Sequence, residues 1–267
     1  MTVTLIITTY NRKDALELSL SSAIRQNTPP DEIIIADDGS RTDTAETIRR
    51  IASKTSIPVL HVHQKDKGFR VARIRNKALA RASGTYIVMA DGDMILHPDF
   101  VGDHKRAARP AFFSQGSRVL LMPDKTLHTL EAKQIDFSPF ESGLRNRHNA
   151  VHFPLLSLVL PRGRKGLKGI RTCNFSFWKS DAMAVNGFNE DFEGWGREDS
   201  EFAARLMNSG ISRQDLRFRA IAYHLYHPEA SRDALSRNDS LLENTVRSGH
   251  TWCKNGINGH WSPGHEG

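Results

Sequence analysis

The sequence predicts an α/β domain built on a mostly parallel, doubly wound sheet. Three observations lead there. The β-branched runs at 3–8 and 32–37, the second with three consecutive isoleucines, suit strands buried on both faces. Apolar residues at helical spacing separate the runs, giving strand–helix–strand units. Two of the strands end in acidic turns containing glycine, where ligands gather in open α/β sheets.

Taken in order, the strand at 3–8 leads to a helix marked by Leu16, Leu20, Ala23 and Ile24, with Asn11 and Asp14 placed as an N-cap and its acid. After the strand at 32–37, Ser40 and Asp43 open a helix carrying Ala45, Ile48 and Ile51, and a strand follows at 58–62. A basic helix at 71–82 precedes a strand at 86–90. Right-handed crossovers of this kind place helices on both faces of one sheet.

The second half is less regular. It offers strands at 117–122, 172–178 and 217–226, and a short helix at 202–207. Gly163, Gly166 and Gly169 among Arg162, Arg164, Lys165 and Lys168 predict a mobile basic loop. The expected organisation is one domain over 1–254, with a nucleotide-binding half to about 105 and an acceptor half beyond it. The polar segment 255–267 reads as a disordered tail.

Composition narrows the class. With 267 residues, 39% hydrophobic and 25% charged, the chain can bury a core without staples. Cys173 and Cys253 are too few for a disulfide framework or a cysteine zinc site, which points to a reducing, cytoplasmic setting. The start lacks a basic segment before its apolar run, and the apolar stretch at 155–160 is too short to cross a bilayer. The net charge of +7 admits nucleic acid, an anionic membrane or an anionic substrate as partner, or serves solubility alone.

Five constellations carry chemistry. Asp91-Gly92-Asp93 directly follows the strand at 86–90, and a glycine between two acids lets both carboxylates face one divalent cation; Mg²⁺ and Mn²⁺ favour such oxygen ligands. The bland alternative is a strand-ending turn. Asp37-Asp38-Gly39-Ser40 places a carboxylate to accept from a base or ribose, or simply caps a helix. Gly194-Trp195-Gly196-Arg197-Glu198-Asp199 pairs a backbone suited to close ligand approach with an aromatic plane and two acids at a helix start. There the helix dipole favours an ionised Asp199, able to take a proton, although acids also serve that terminus by themselves. His224 and His227 could complete an oxygen-rich metal site, contact phosphate, or be structural. Arg70, Arg73 and Arg75 near a helix start attract phosphate or solvate a helix face.

Taken together and in order, these pieces resemble an inverting family 2 glycosyltransferase of the GT-A fold. The motifs are Thr8-Thr9-Tyr10-Asn11-Arg12, Asp37-Asp38-Gly39-Ser40, the DxD element Asp91-Gly92-Asp93, GFRVARIRN at 68–76, and GWGREDSEF at 194–202. The last two are similar to stretches of galactosyltransferase-like enzymes and bacterial chondroitin polymerases. The resemblance spans about 3–105 and 168–230. It implies that Thr8, Tyr10, Arg12, Asp37, Arg75 and Asp91 bind the donor, a UDP-sugar. It further implies Asp93 and His224 as ligands of Mn²⁺ or Mg²⁺, Asp199 as general base, and Trp195 and Glu198 as acceptor contacts. The acceptor would be a glycan or lipid-linked glycan of the bacterial cell surface, met in the cytoplasm with peripheral contact at the inner face of the membrane. Nucleic acid is not an expected partner.

The chain departs from the family at Arg197, where related enzymes often carry a small residue, so UDP-galactose does not follow as donor. Residues 110–168 match no motif. The competing readings are a nucleotidyltransferase, for which the glycine-rich phosphate loop is missing near the N-terminus, and a binding module without catalysis. A dinucleotide oxidoreductase would need GxGxxG after the first strand.

Overall fold

The computed structural model describes residues 1–159, 166–228 and 231–260. In chain order its first half comprises β1 (Val3–Thr9), α1 (Lys13–Ile24), β2 (Glu32–Asp37), α2 (Thr42–Ala52), β3 (Val59–His63), α3 (Val71–Arg81), β4 (Tyr86–Asp91), β5 (Met94–Leu96) and α4 (Phe100–Ala107). There follow β6 (Phe112–Gly116), β7 (Arg118–Leu121), α5 (Pro123–Ala132), β8 (Leu144–Arg145) and α6 (Leu156–Val159). The remainder holds β9 (Asn174–Trp178), α7 (Lys179–Ala184), α8 (Glu198–Asn208), β10 (Ser212–Leu216), β11 (Ala222–His224) and α9 (Leu235–Ser248).

Seven strands form the main sheet in the order β10-β6-β9-β4-β1-β2-β3. β1 pairs in parallel with β2 and β4, and β2 with β3, while β9 alone runs against its neighbours β4 and β6. Strands from both halves of the chain therefore share one sheet. The isoleucine run shows why both faces are covered. Ile33 and Ile35 pack with Leu16, Leu20 and Ile48 of α1 and α2, whereas Ile34 packs on the opposite face with Ile74 and Leu79 of α3. Alternation of side chains across a strand requires this split. A smaller sheet, β5-β11-β7-β8, sits beside the C-terminal end of the first. Asn174 joins the two, its amide donating to the carbonyls of Ser117 and Ala220 at 2.8 and 2.7 Å.

Several local expectations change. Asn11 does not cap α1: it has φ 49°, and its Oδ1 accepts from Arg41 N at 3.0 Å. Ser40 does not cap α2, because its hydroxyl accepts from Asn11 N at 2.8 Å. Both side chains instead clip together the loops after β1 and β2. The strand expected over 217–226 shrinks to β11, since Phe218 and Ala220 adopt left-handed φ and break extension. β10 was hidden by its polar sequence; its buried Gln214 is satisfied by Ala107 O and Ser114.

The disordered tail expected from residue 255 does not begin there. Ile257 is 1% exposed, and Asn186 bonds the carbonyl of Cys253 and the backbone and side chain of Asn258. His260 meets Glu190 at 2.6 Å. A buried apolar side chain and a satisfied polar clamp outweigh the chain entropy of so short a segment. The rest of that tail and most of the expected basic loop, at 160–165, lie outside the described residues.

Candidate active site

The loops after β1, β2 and β4 open at the C-terminal edge of the sheet, where parallel α/β folds bind ligands. Thr8, Tyr10, Arg12, Arg75, Asp91, Asp93, Trp195 and His224 line one cleft there, of about 640 Å³. The Tyr10 hydroxyl donates to Asp66 at 3.0 Å, fixing one rim. Gly92 carries the turn between the two acids because a Cβ would lie 3.0 Å from Thr9 and 3.1 Å from the Thr8 carbonyl. Its N–H donates to that carbonyl at 2.7 Å, so the turn is held against β1.

Arg75 organises the floor of the cleft. Its guanidinium donates to Glu198 at 2.9 Å, reaches Asp91 at 3.4 Å, and contacts the Thr8 hydroxyl at 3.4 Å. Burial raises the Asp91 carboxyl to about 6, with Arg75 opposing that rise and the nearby Asp93 reinforcing it.

Asp93 faces a different set. Arg12 donates to its Oδ2 at 3.0 Å, and His227 Nε2 lies 3.2 Å from the same oxygen. His224 Nε2 stands 3.7 Å from Oδ1, which is buried and has no hydrogen-bond partner. Burial favours a neutral Asp93, yet the His227 hydrogen bond and the charge of Arg12 prevail and lower its pKa. Burial pushes His224 down to about 4, leaving a neutral ring with a free lone pair. Ligand atoms of Asp93, His224 and His227 lie within 4.8 Å of one another. The histidine left open by spacing alone thus resolves into two candidates converging on one carboxylate.

The GWG segment is shaped by backbone as much as by ligand. Gly194, Gly196 and Arg197 all have φ between 73° and 104°, and Gly194 N donates to Phe69 O at 3.0 Å. This geometry leaves Trp195 39% exposed over the cleft, with the Arg232 guanidinium 5.5 Å from its ring. Glu198 is buried beneath Arg75 and Asp199 is half-buried beside it; neither lines the cleft itself. Asp199 Oδ1 accepts from Ser200 N at 2.6 Å. The expectation that the helix start keeps Asp199 fully ionised is corrected. Burial and the negative Glu198 outweigh Arg75 and the Ser200 bonds, and raise the carboxyl to about 7.

Asp37 also differs from expectation. It is 1% exposed, and its oxygens are taken by the N–H groups of Gly39 and Ser40 and by His61 at 2.9 Å. The neighbouring Asp38 lines the cleft instead, held by Gln64 and by Arg70 N. Arg118 and Arg145 line it too, although their part of the chain carried no motif. The only sequence signal was their basic character.

Comparison with known proteins gives the family and the fold. Residues 4–113 match the family described as Glycosyl transferase family 2, and residues 157–228 match the N-terminal domain of galactosyltransferase. The chain belongs to glycosyltransferase family 2. This family 2 chain is 30% identical over 230 residues to a validoxylamine A glucosyltransferase of Streptomyces hygroscopicus, covering 78% of itself and 48% of that protein. It is 27% identical over 246 residues to chondroitin synthase of Escherichia coli, covering 85% of itself and 35% of that protein. It therefore spans about half or less of these relatives' lengths. In fold it is similar to S. aureus TarS (TM-score 0.61, 16% identity, 92% of this chain and 39% of that one). It is also similar to the Pyrobaculum calidifontis mannosyltransferase PcManGT in complex with GDP-Man and Mn²⁺ (TM-score 0.57, 16% identity, 92% and 71%).

Proposed function

We propose that this family 2 chain is a metal-dependent inverting glycosyltransferase. It moves one sugar from a nucleotide-sugar, a UDP-sugar, to a hydroxyl of a glycan or lipid-linked glycan in bacterial cell-surface polysaccharide or lipopolysaccharide synthesis. The observation that carries this reading is the orphaned, buried Asp93 Oδ1 facing the neutral His224 ring inside a cleft lined by Arg12 and Arg75. An unsatisfied carboxylate oxygen beside imidazole lone pairs is a donor set that Mn²⁺ accepts. Asp93 and His224 would hold the ion, with His227 within reach. When bound, the ion supplies charge neutralisation for the departing diphosphate.

The chain's own residues account for the rest. Thr8, Tyr10 and Arg12 border the donor pocket, with Asp38 in the position expected of Asp37. Arg75 orients Asp91 and Glu198 through one guanidinium. Asp199, titrating near neutrality just outside the cleft lining, takes the proton of an acceptor hydroxyl that reaches it past Trp195, which lines the cleft and offers its exposed face to a sugar ring. General-base help of this kind is worth roughly 10²–10⁴-fold. The UDP preference draws on a relative whose name is UDP-Glc:alpha-D-GlcNAc-diphosphoundecaprenol beta-1,3-glucosyltransferase WfaP, 37% identical over 91 residues. Among the described residues no helix is long and apolar enough to cross a membrane. The proposed contact with the inner membrane face, in the cytoplasm, is a peripheral one through basic surface residues.

Thermal melting with UDP, GDP, dTDP and CMP, each with and without Mn²⁺, tests the reading. Ligand at a hundred times its dissociation constant adds about 2.7 kcal/mol to stability. The expected result is stabilisation by UDP that needs Mn²⁺ and disappears in Asp93→Ala. Stabilisation by none of the four, in folded protein, would overturn the transferase reading in favour of a non-catalytic binding module.

A further inference from the structure

A second cavity, of about 590 Å³, adjoins the cleft. Its walls come from the ends of β6 and β10, the start of β7, the turn at Arg147–Ala150 and the segment entering β9. Arg118 and Leu120 line both spaces, so the two share a wall. Cys173, which also lines it, directly precedes Asn174, and Asn174 pairs with Ala90 next to Asp91. The second cavity thus opens beside the DxD turn.

Its lining is cationic. Arg118, Arg171, Arg213 and Arg217 contribute to it, with His148 at one side. Its acidic member, Asp215, is paired with Arg213 at 2.8 Å, and Arg213 also donates to the carbonyls of Gly166 and Lys168. Arg213 is thereby structural, holding the wall. No ion pair among the described residues engages Arg118, Arg171 or Arg217. The backbone around them is fixed: Asn149 donates to the Arg118 carbonyl at 3.0 Å, and Gln115 accepts from Arg171 N at 2.8 Å. Arg118 is half-buried, and its charge reaches Asp91 in one direction and Cys173 in the other.

Three guanidiniums around one concavity repel one another until an anion enters, and an anion gathers several charge-assisted bonds there. A single carboxylate would answer one of them. A diphosphate answers more, with more oxygens for planar donor forks.

We infer that this cavity is an acceptor subsite for a phosphate ester, so that the hydroxyl receiving the sugar belongs to a phosphoryl-bearing acceptor. The inference rests on the transferase reading above and adds the acceptor's chemical class. The phosphate could belong to a lipid diphosphate carrying the acceptor sugar or to a phosphodiester polymer. Both offer anionic phosphoryl oxygens to Arg118, Arg171 and Arg217, the diphosphate two phosphoryl groups together and the polymer one at each linkage.

Titration calorimetry with full-length protein, its donor site saturated by Mn²⁺ and the stabilising nucleotide, separates the possibilities. The probes are a short-chain prenyl diphosphate of N-acetylglucosamine, a glycerol phosphate oligomer, a hexuronate-containing oligosaccharide and a neutral oligosaccharide. The variant is Arg171→Ala/Arg217→Ala; both side chains are exposed, and its folding is checked by melting. One phosphate probe is expected to bind wild type and to bind the double variant at least tenfold more weakly, while nucleotide stabilisation stays unchanged. Which phosphate probe binds identifies the source. Equal binding by wild type and variant, no phosphate probe binding, or tighter binding of the hexuronate or neutral probe would overturn the subsite. In those cases intact nucleotide stabilisation leaves the transferase reading standing. Loss of nucleotide stabilisation in wild type would overturn both.

Discussion

Arg75 and Glu198 stand 123 residues apart in the chain and 2.9 Å apart in the fold. The same guanidinium reaches Asp91 at 3.4 Å, so one buried cation ties the DxD turn to the start of α8. Its positive charge also favours the ionised forms of Asp91 and Asp199.

Arg75→Met should leave those carboxylates without their common cation. Transfer is expected to fall at least tenfold, and the remaining activity should need a higher pH, because both acids would titrate later. A pH–rate profile of the variant against wild type checks this; an unmoved profile with normal rates would remove Arg75 from the site.

Asp199→Asn should lower transfer by at least about 10²-fold, the lower end of what a general base contributes, while nucleotide binding persists. Paired turnover and melting assays read the two effects separately. Near-normal turnover would exclude Asp199 as the base.

The raised pKa of Asp199 sets the pH dependence. A base works only when ionised, so kcat/KM should climb with pH through about 7 and level off above it. Stability runs the other way. The folded state prefers the neutral carboxyl; this contribution is complete below the unfolded value of about 3.9 and is lost as pH rises through about 7. Asp199→Asn should therefore raise Tm at pH 8 more than at pH 5, and equal shifts at both would contradict the assignment.

His224→Ala and Asp93→Ala should each abolish the Mn²⁺-dependent part of nucleotide stabilisation, and His227→Ala should weaken it less, since that ring already bonds Asp93 Oδ2. Melting with a Mn²⁺ titration distinguishes them. A His227→Ala variant that loses the metal effect while His224→Ala keeps it would reverse the ligand assignment.

Arg205 and Glu201 form an ion pair at 2.8 Å that is cut off from solvent, with Thr245 of α9 donating to Glu201 and the Val185 carbonyl accepting from Arg205. Removing one partner of a buried pair costs about 3–5 kcal/mol. Urea unfolding of Arg205→Ala should show a loss of that order. A loss below about 1 kcal/mol would mean that the pair is solvated.

Particular residues mark how far the sequence could be read. The isoleucine run at 33–35 announced a strand covered on both faces, and the DxD and GWGRED elements announced a cleft, because such patterns are local: strand alternation, turn glycines and helix starts involve neighbours in the chain. Asp37 and Asp38 were indistinguishable by the same logic. Both are acids at a strand end and both are buried, and only the loop beyond β2, with His61 on one side and Gln64 on the other, sets Asp38 rather than Asp37 in the cleft wall. Arg118 was equally invisible, since its importance comes from the shared wall of two cavities.

The sequence by itself determined the α/β class, the order of the first strands and helices, and the motifs that resemble family 2. Tertiary structure decided which carboxylate pairs with which cation, why Asp199 titrates near neutrality, that two histidines rather than one meet Asp93, and where 255–260 pack. These latter properties depend on burial and on charges brought together from distant positions. Desolvation and Coulomb energies act through space, so sequence spacing carries no record of them.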